Sequence, residues 1–75
     1  MDIKLQAILS RFPEYSEMII KKINENEDFE SLCSDYELCI EMLKALEKET
    51  EIRHSKLEEY IGIKIELEQE VMKYL

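Results

Sequence analysis

The feature that most constrains this chain is an apolar seam whose members recur at alternating spacings of three and four residues. Such a repeat averages 3.5 residues, close to the 3.6-residue period of an α-helix, so its members line one helix face. An apolar face of this kind needs a second helix to cover it, from the same chain or from another copy. The residues predicted to form this interface are Phe29, Leu32, Tyr36, Cys39, Leu43, Leu46, Leu57, Tyr60, Leu67, Val71 and Tyr74.

The residue usage predicts an all-α fold, because the chain has one Gly and one Pro and little turn chemistry. Pro13 suits the first turn of a helix, where its missing N–H is not needed. Asn26 is a good N-cap for the helix that follows. We therefore expect a single helical domain over residues 1–75. Its predicted parts are an N-terminal extension (1–11), a short helix (12–24), a long helix (27–49) and a C-terminal helix (55–75).

The segment 47–55 leaves two architectures open. It contains neither Gly nor Pro, and the heptad count passes through it unbroken, which is typical of one long continuous coiled-coil helix. However, Thr50 and Arg53 fall at seam positions where apolar groups are expected. Ser55 and Glu58 also fit a capping box, which marks a helix start. The second pattern predicts a long helical hairpin instead.

The last segment carries two patterns at once. Ile61, Ile63 and Ile65 alternate with polar residues, which is typical of a strand. A lone strand would leave its backbone groups unpaired, so we predict a helix here. On a helix, Ile61, Ile65 and Met72 form a second apolar stripe. A helix apolar on two sides is usually touched by two neighbours, which indicates a bundle.

The small size of the chain favours association. At 75 residues a single core supplies only about 3–5 kcal/mol, and small domains often add disulfides, a metal or oligomerisation. Cys33 and Cys39 lie six residues apart, roughly 9 Å of helical rise, which is too far for a disulfide. Cys33 and Ile40 instead widen the seam beyond a two-stranded stripe. We expect buried free thiols and an oligomeric bundle.

Two short segments stand out, Phe12-Pro13-Glu14-Tyr15 and the segment 25–29. The first resembles the opening motif of the YdcH-like family of small bacterial proteins, and the second resembles that family's Glu-Asn-Pro-x-Phe segment, with Glu27 in place of proline. Leu32, Tyr36 and Cys39 are similar to its Leu-x-x-x-Tyr-x-x-Leu pattern. The resemblance implies an all-helical hairpin in a bacterial protein of unknown function. It implies no activity and no cofactor.

The net charge of −8 limits the classes of partner. Nucleic acids are bound by cations that neutralise phosphates, and anionic membrane surfaces repel an acidic chain, so we expect neither as a partner. The sequence has no apolar run long enough for a membrane span, and its start lacks the pattern of a secretory signal. A cytoplasmic location is the resulting expectation.

Glu51, His54 and Glu58 are the candidate metal ligands. Their spacing places them on one helix face, but a complete site would need a symmetric partner. Cys33 and Cys39 lie among acidic residues, which raise rather than lower a thiol pKa, so we expect no nucleophilic catalysis.

We therefore predict a small self-associating helical protein, an interaction or assembly module without catalytic activity or cofactor. Its expected partners are a second copy and possibly another protein. The alternative is a metal-binding helical bundle with a site completed across an oligomer interface.

Overall fold

The structure is a computed structural model that describes residues 5–48 and 54–75, and these ranges are helical and contain no strand. This confirms the all-α prediction and the helical reading of the last segment. The strand alternative for that segment is wrong. The elements are α1 (Gln6–Arg11), a 3₁₀ turn (Pro13–Tyr15), α2 (Ser16–Glu25), α3 (Glu27–Lys48) and α4 (His54–Tyr74).

The two long helices, α3 and α4, pack against each other in antiparallel orientation. Phe29 lies near the start of α3 and Tyr74 is the last residue of α4. The centroids of their rings are 5.0 Å apart. One continuous helix would separate these residues by about 68 Å. The hairpin is therefore the observed architecture, and the continuous helix is wrong. Thr50 and Arg53, which interrupt the seam, lie outside the described residues.

The predicted seam is covered within one chain. Phe29, Tyr36 and Val71 are almost completely buried, and each such side chain contributes about 1.5–3 kcal/mol by leaving water. The remaining seam residues are buried or half-buried between the helices; they are Leu32, Cys39, Leu43, Leu46, Leu57, Tyr60, Leu67 and Tyr74. The seam alone therefore does not require a second copy, and the oligomeric bundle stays a prediction.

The ends of the helices follow local chemistry. The side-chain oxygen of Asn26 accepts hydrogen bonds from the backbone N–H groups of Asp28 and Phe29, at 2.9 and 3.2 Å. This is the N-cap expected for α3. Pro13 begins a 3₁₀ turn rather than the α-helix itself, so α2 starts at Ser16, later than expected. The last helix is described from His54, so it includes the predicted start at residue 55.

The N-terminal segment is part of the core rather than a simple extension. Residues of α1 and α2, together with Phe12 between them, pack into the same cluster as the α3–α4 seam. Ile8 and Ile19 are fully buried there. The buried cluster comprises Ile8, Phe12, Ile19, Ile23, Phe29, Cys33, Tyr36 and Val71.

The second stripe of α4 is not covered within the single chain. Ile61, Ile65 and Met72 are all exposed, and Met72 is exposed by 60%. The sequence predicted a neighbouring helix of a bundle against this stripe and did not say from which chain. Within the chain, α1 and α2 pack mainly on α3, so the stripe faces solvent there, and a neighbour from a second copy stays a prediction.

Candidate functional site

An open apolar groove runs between α3 and α4, with a volume of about 430 Å³. The side chains of α3 form one wall and those of α4 the other, because both helices present residues just beyond their shared seam. The groove is lined by Asp35, Leu38, Cys39, Met42, Tyr60, Ile63 and Leu67.

The groove lies on the side of α3 away from α1. Contact with α1 is made through Glu37, whose carboxylate accepts hydrogen bonds from the backbone of Ala7 and Ile8. Met42 lies about 140° around α3 from Glu37 at 3.6 residues per turn. This geometry explains why the N-terminal helices leave the groove open.

The walls of the groove are apolar and exposed. Leu38 is 61% exposed, Met42 is 41% exposed and Ile63 is 39% exposed. Tyr60 and Leu67 are half-buried beneath them. A single exposed apolar residue is ordinary, whereas a contiguous set in a concave surface makes the groove a candidate interaction site.

Acidic side chains border the groove. Asp35 lines it directly, three residues before Leu38 on α3. On α4, three acidic residues share a helix face with Ile63. One lies four residues before it, and the others lie three and seven residues after it. They are Glu59, Glu66 and Glu70, and all three are exposed.

Two contacts fix the alignment of the groove walls. The thiol of Cys39 donates to the backbone carbonyl of Tyr60 at 3.5 Å. The hydroxyl of Tyr36 donates to a carboxylate oxygen of Glu68 at 2.7 Å, and Arg11 contacts the same oxygen at 3.2 Å. Because these partners lie on different helices, they hold α3 and α4 in one register.

The same oxygen of Glu68 also lies 3.9 Å from the ammonium group of Lys64. The phenol of Tyr36 therefore sits at the edge of a charged cluster. Burial, together with its hydrogen bond to Glu68, raises the pKa of Tyr36 above its usual value. The phenol remains a neutral donor to Glu68 at neutral pH.

The two thiols are buried and free, as expected. Burial, followed by the charge of Glu37, raises the pKa of Cys33 from 9.0 to about 11. Burial also raises the pKa of Cys39. Both groups are neutral at pH 7 and pack as small apolar side chains rather than as thiolate nucleophiles.

The predicted metal site is only partly described. Glu51 lies outside the described residues; His54 begins α4, but its side chain is not described. Glu58 is exposed on α4. Within residues 5–48 and 54–75, no three His, Cys, Asp or Glu side chains come together to hold a metal ion. The metal-binding alternative stays a prediction.

The sequence identified only part of the groove. Cys39, Tyr60 and Leu67 belong to the predicted interface and lie at its floor. The exposed wall residues Leu38, Met42 and Ile63 were not among the predicted interface residues, although Leu38 and Met42 are four residues apart and therefore share a helix face. That spacing could have indicated an apolar strip beside the seam.

Comparison with protein-family models, curated proteins and solved structures finds no match to this chain. The resemblance to the YdcH-like family therefore stays a prediction. Among the described helices, none has the length and apolar character that crossing a membrane requires.

Proposed function

We propose that this chain is a protein-interaction module without catalytic activity, and that the α3–α4 groove binds an amphipathic helix of another protein. The observation that carries this proposal is the apolar groove itself. It exposes Leu38, Met42 and Ile63 together in one concave surface between the helices, whereas the other exposed apolar residues of α4, Ile61, Ile65 and Met72, do not line it. A helix laid in a groove is a common way for two proteins to bury such side chains.

The dimensions of the groove suit a short helical segment. Its lining extends from Asp35 to Met42 on α3 and from Tyr60 to Leu67 on α4. Seven residues of helix rise about 10 Å, or two turns. A partner helix would therefore present two or three apolar side chains at spacings of three, four and seven residues.

Self-association was predicted from the seam, which the sequence left to be covered by the same chain or by a second copy. The seam packs inside one chain. It therefore gives no support to self-association, which stays a prediction.

The proposal can be tested with a designed helical peptide of about 18 residues, long enough to form helix on binding. Its apolar face carries Leu at helical spacing, and its other positions carry Ala and Gln. We expect titration of this neutral peptide to shift the NMR methyl signals of Leu38, Ile63 and Leu67. The signals of the buried Ile8 and Ile19 should remain unchanged.

The Leu38→Gln variant tests whether peptide binding depends on the groove. Because Leu38 is exposed, this change should leave the fold intact and weaken peptide binding by about tenfold or more. Absence of any methyl shift at saturating peptide, or shifts that survive Leu38→Gln unchanged, would contradict the proposed function.

A further inference from the structure

We infer that the helix bound in the groove carries basic residues on both flanks of its apolar face, and therefore comes from another protein rather than from a second copy. This inference rests on the proposed function and adds the chemistry of the partner. It follows from the charges that border the groove.

The α4 border is mainly acidic. Glu59, Glu66 and Glu70 flank Ile63 on one helix face. Lys56, seven residues before Ile63, is the cation at the start of this border. Glu70 is engaged by Lys73 at 3.0 Å, whereas Glu59 and Glu66 have no opposite charge at this face among the described contacts.

The α3 border adds Asp35, which is exposed and lines the groove. A bound helix would therefore run between carboxylates on both sides. Lys or Arg side chains flanking its apolar residues can reach these carboxylates while their methylene stems cover the groove walls. Such complementarity speeds association and selects the partner.

A second copy fits this border poorly. Each copy carries a net charge of −8 and would bring the same acids toward the same groove. Like charges that face each other across an interface disfavour the pairing. The charge pattern therefore favours a basic helix of another protein over self-association through this surface.

Three peptides with the same apolar face test the inference. They differ only at the flanking positions, which carry Gln, Lys or Glu, and their affinities are measured by fluorescence anisotropy. Each exposed ion pair should raise the affinity by a small factor. We therefore expect the Lys peptide to bind about tenfold more tightly than the Gln peptide at low salt. The Glu peptide should bind more weakly than both. Raising the salt to about 0.5 M should bring the three affinities within about threefold, because exposed charges are then screened.

Paired charge variants separate the local border from the overall charge. The double change Glu59→Gln and Glu66→Gln removes two border carboxylates. The control, Glu17→Gln and Glu25→Gln on α2, removes two exposed carboxylates elsewhere. We expect the border variant to lose most of the preference for the Lys peptide and the control to keep it.

The outcomes distinguish the inference from the proposed function. Equal binding of the three peptides at low salt, or equal effects of the two double variants, would overturn the basic partner while leaving groove binding intact. Failure of all three peptides to bind would overturn the proposed function. Sedimentation showing a micromolar dimer that Leu38→Gln abolishes would identify a second copy as the occupant and overturn the inference.

Discussion

Glu37 caps a helix that begins 31 residues earlier in the chain: its two carboxylate oxygens lie 2.8 and 3.0 Å from the backbone nitrogen of Ala7. One of these oxygens also accepts from Ile8 at 3.2 Å. Ala7 and Ile8 occupy the second and third positions of α1, whose own N-cap residue, Leu5, makes no side-chain bond. A negative charge is also favourable at this end of a helix.

Replacement of Glu37 should therefore loosen the N-terminal helix. In Glu37→Gln an amide nitrogen replaces one accepting oxygen, and we expect a loss of about 1–2 kcal/mol in the free energy of unfolding. Urea denaturation measures the loss, and hydrogen exchange should show faster exchange at Ala7 and Ile8. Asp35→Asn, an exposed change on the same helix, should alter stability by less than about 0.5 kcal/mol. Equal effects of the two substitutions would contradict the capping role.

The hydrogen bond between Tyr36 and Glu68 gives a second prediction. Tyr36→Phe removes the buried hydroxyl and leaves Glu68 with Arg11 and Lys64, so we expect a loss of about 1 kcal/mol. Tyr15→Phe is the matched control, since Tyr15 is exposed, and it should change stability by less than about 0.5 kcal/mol. Thermal or urea unfolding that shows no difference between the two variants would argue against a stabilising bond.

The raised pKa of Cys33 predicts a loss of stability in alkaline solution. The folded chain retains the thiol proton up to about pH 11, whereas the unfolded chain loses it near pH 9.0. Stability from this group is therefore fully present below pH 9 and decreases as the pH rises toward 11. In urea titrations the slope of stability against pH over this window should be smaller for Cys33→Ala than for the parent chain. Identical slopes would show that Cys33 is not the group responsible.

Gly62 offers a stabilising substitution. It lies inside α4, it has no positive φ, and an added Cβ would meet nothing within 4 Å. Gly62→Ala should therefore raise the free energy of unfolding by about 1 kcal/mol. Ala45→Gly, at an exposed position of α3, is the reverse control and should lower it by a similar amount. A destabilising Gly62→Ala would mean that α4 is not a regular exposed helix at this position.

Features set by near neighbours in the sequence were predictable. The Asn26 cap depends on N–H groups two and three residues away, and the seam depends only on helical spacing. The choice between a hairpin and one continuous helix was not predictable, because the heptad register is the same in both. Contacts between α3 and α4, such as that between Phe29 and Tyr74, separate the two architectures.

The groove and the Glu37 cap depend on where α1 and α2 dock. Leu38 and Glu37 are adjacent in sequence, yet one is exposed at the groove and the other is buried against α1. Helical periodicity places Leu38 and Glu37 beside the seam of α3. It does not predict which side of the seam another helix covers. For the same reason, the sequence does not say which helix would cover Ile61, Ile65 and Met72, which are exposed in the single chain.

The central claim is that the groove, rather than exposed apolar surface in general, binds a helix. Ile63 and Ile65 test it most directly, since both are exposed isoleucines on α4 that lie about 160° apart around the helix. We predict that Ile63→Gln weakens binding of the Lys-flanked peptide by about tenfold or more, whereas Ile65→Gln changes its dissociation constant by less than about twofold. Equal losses in the two variants, or a larger loss in Ile65→Gln, would contradict the account.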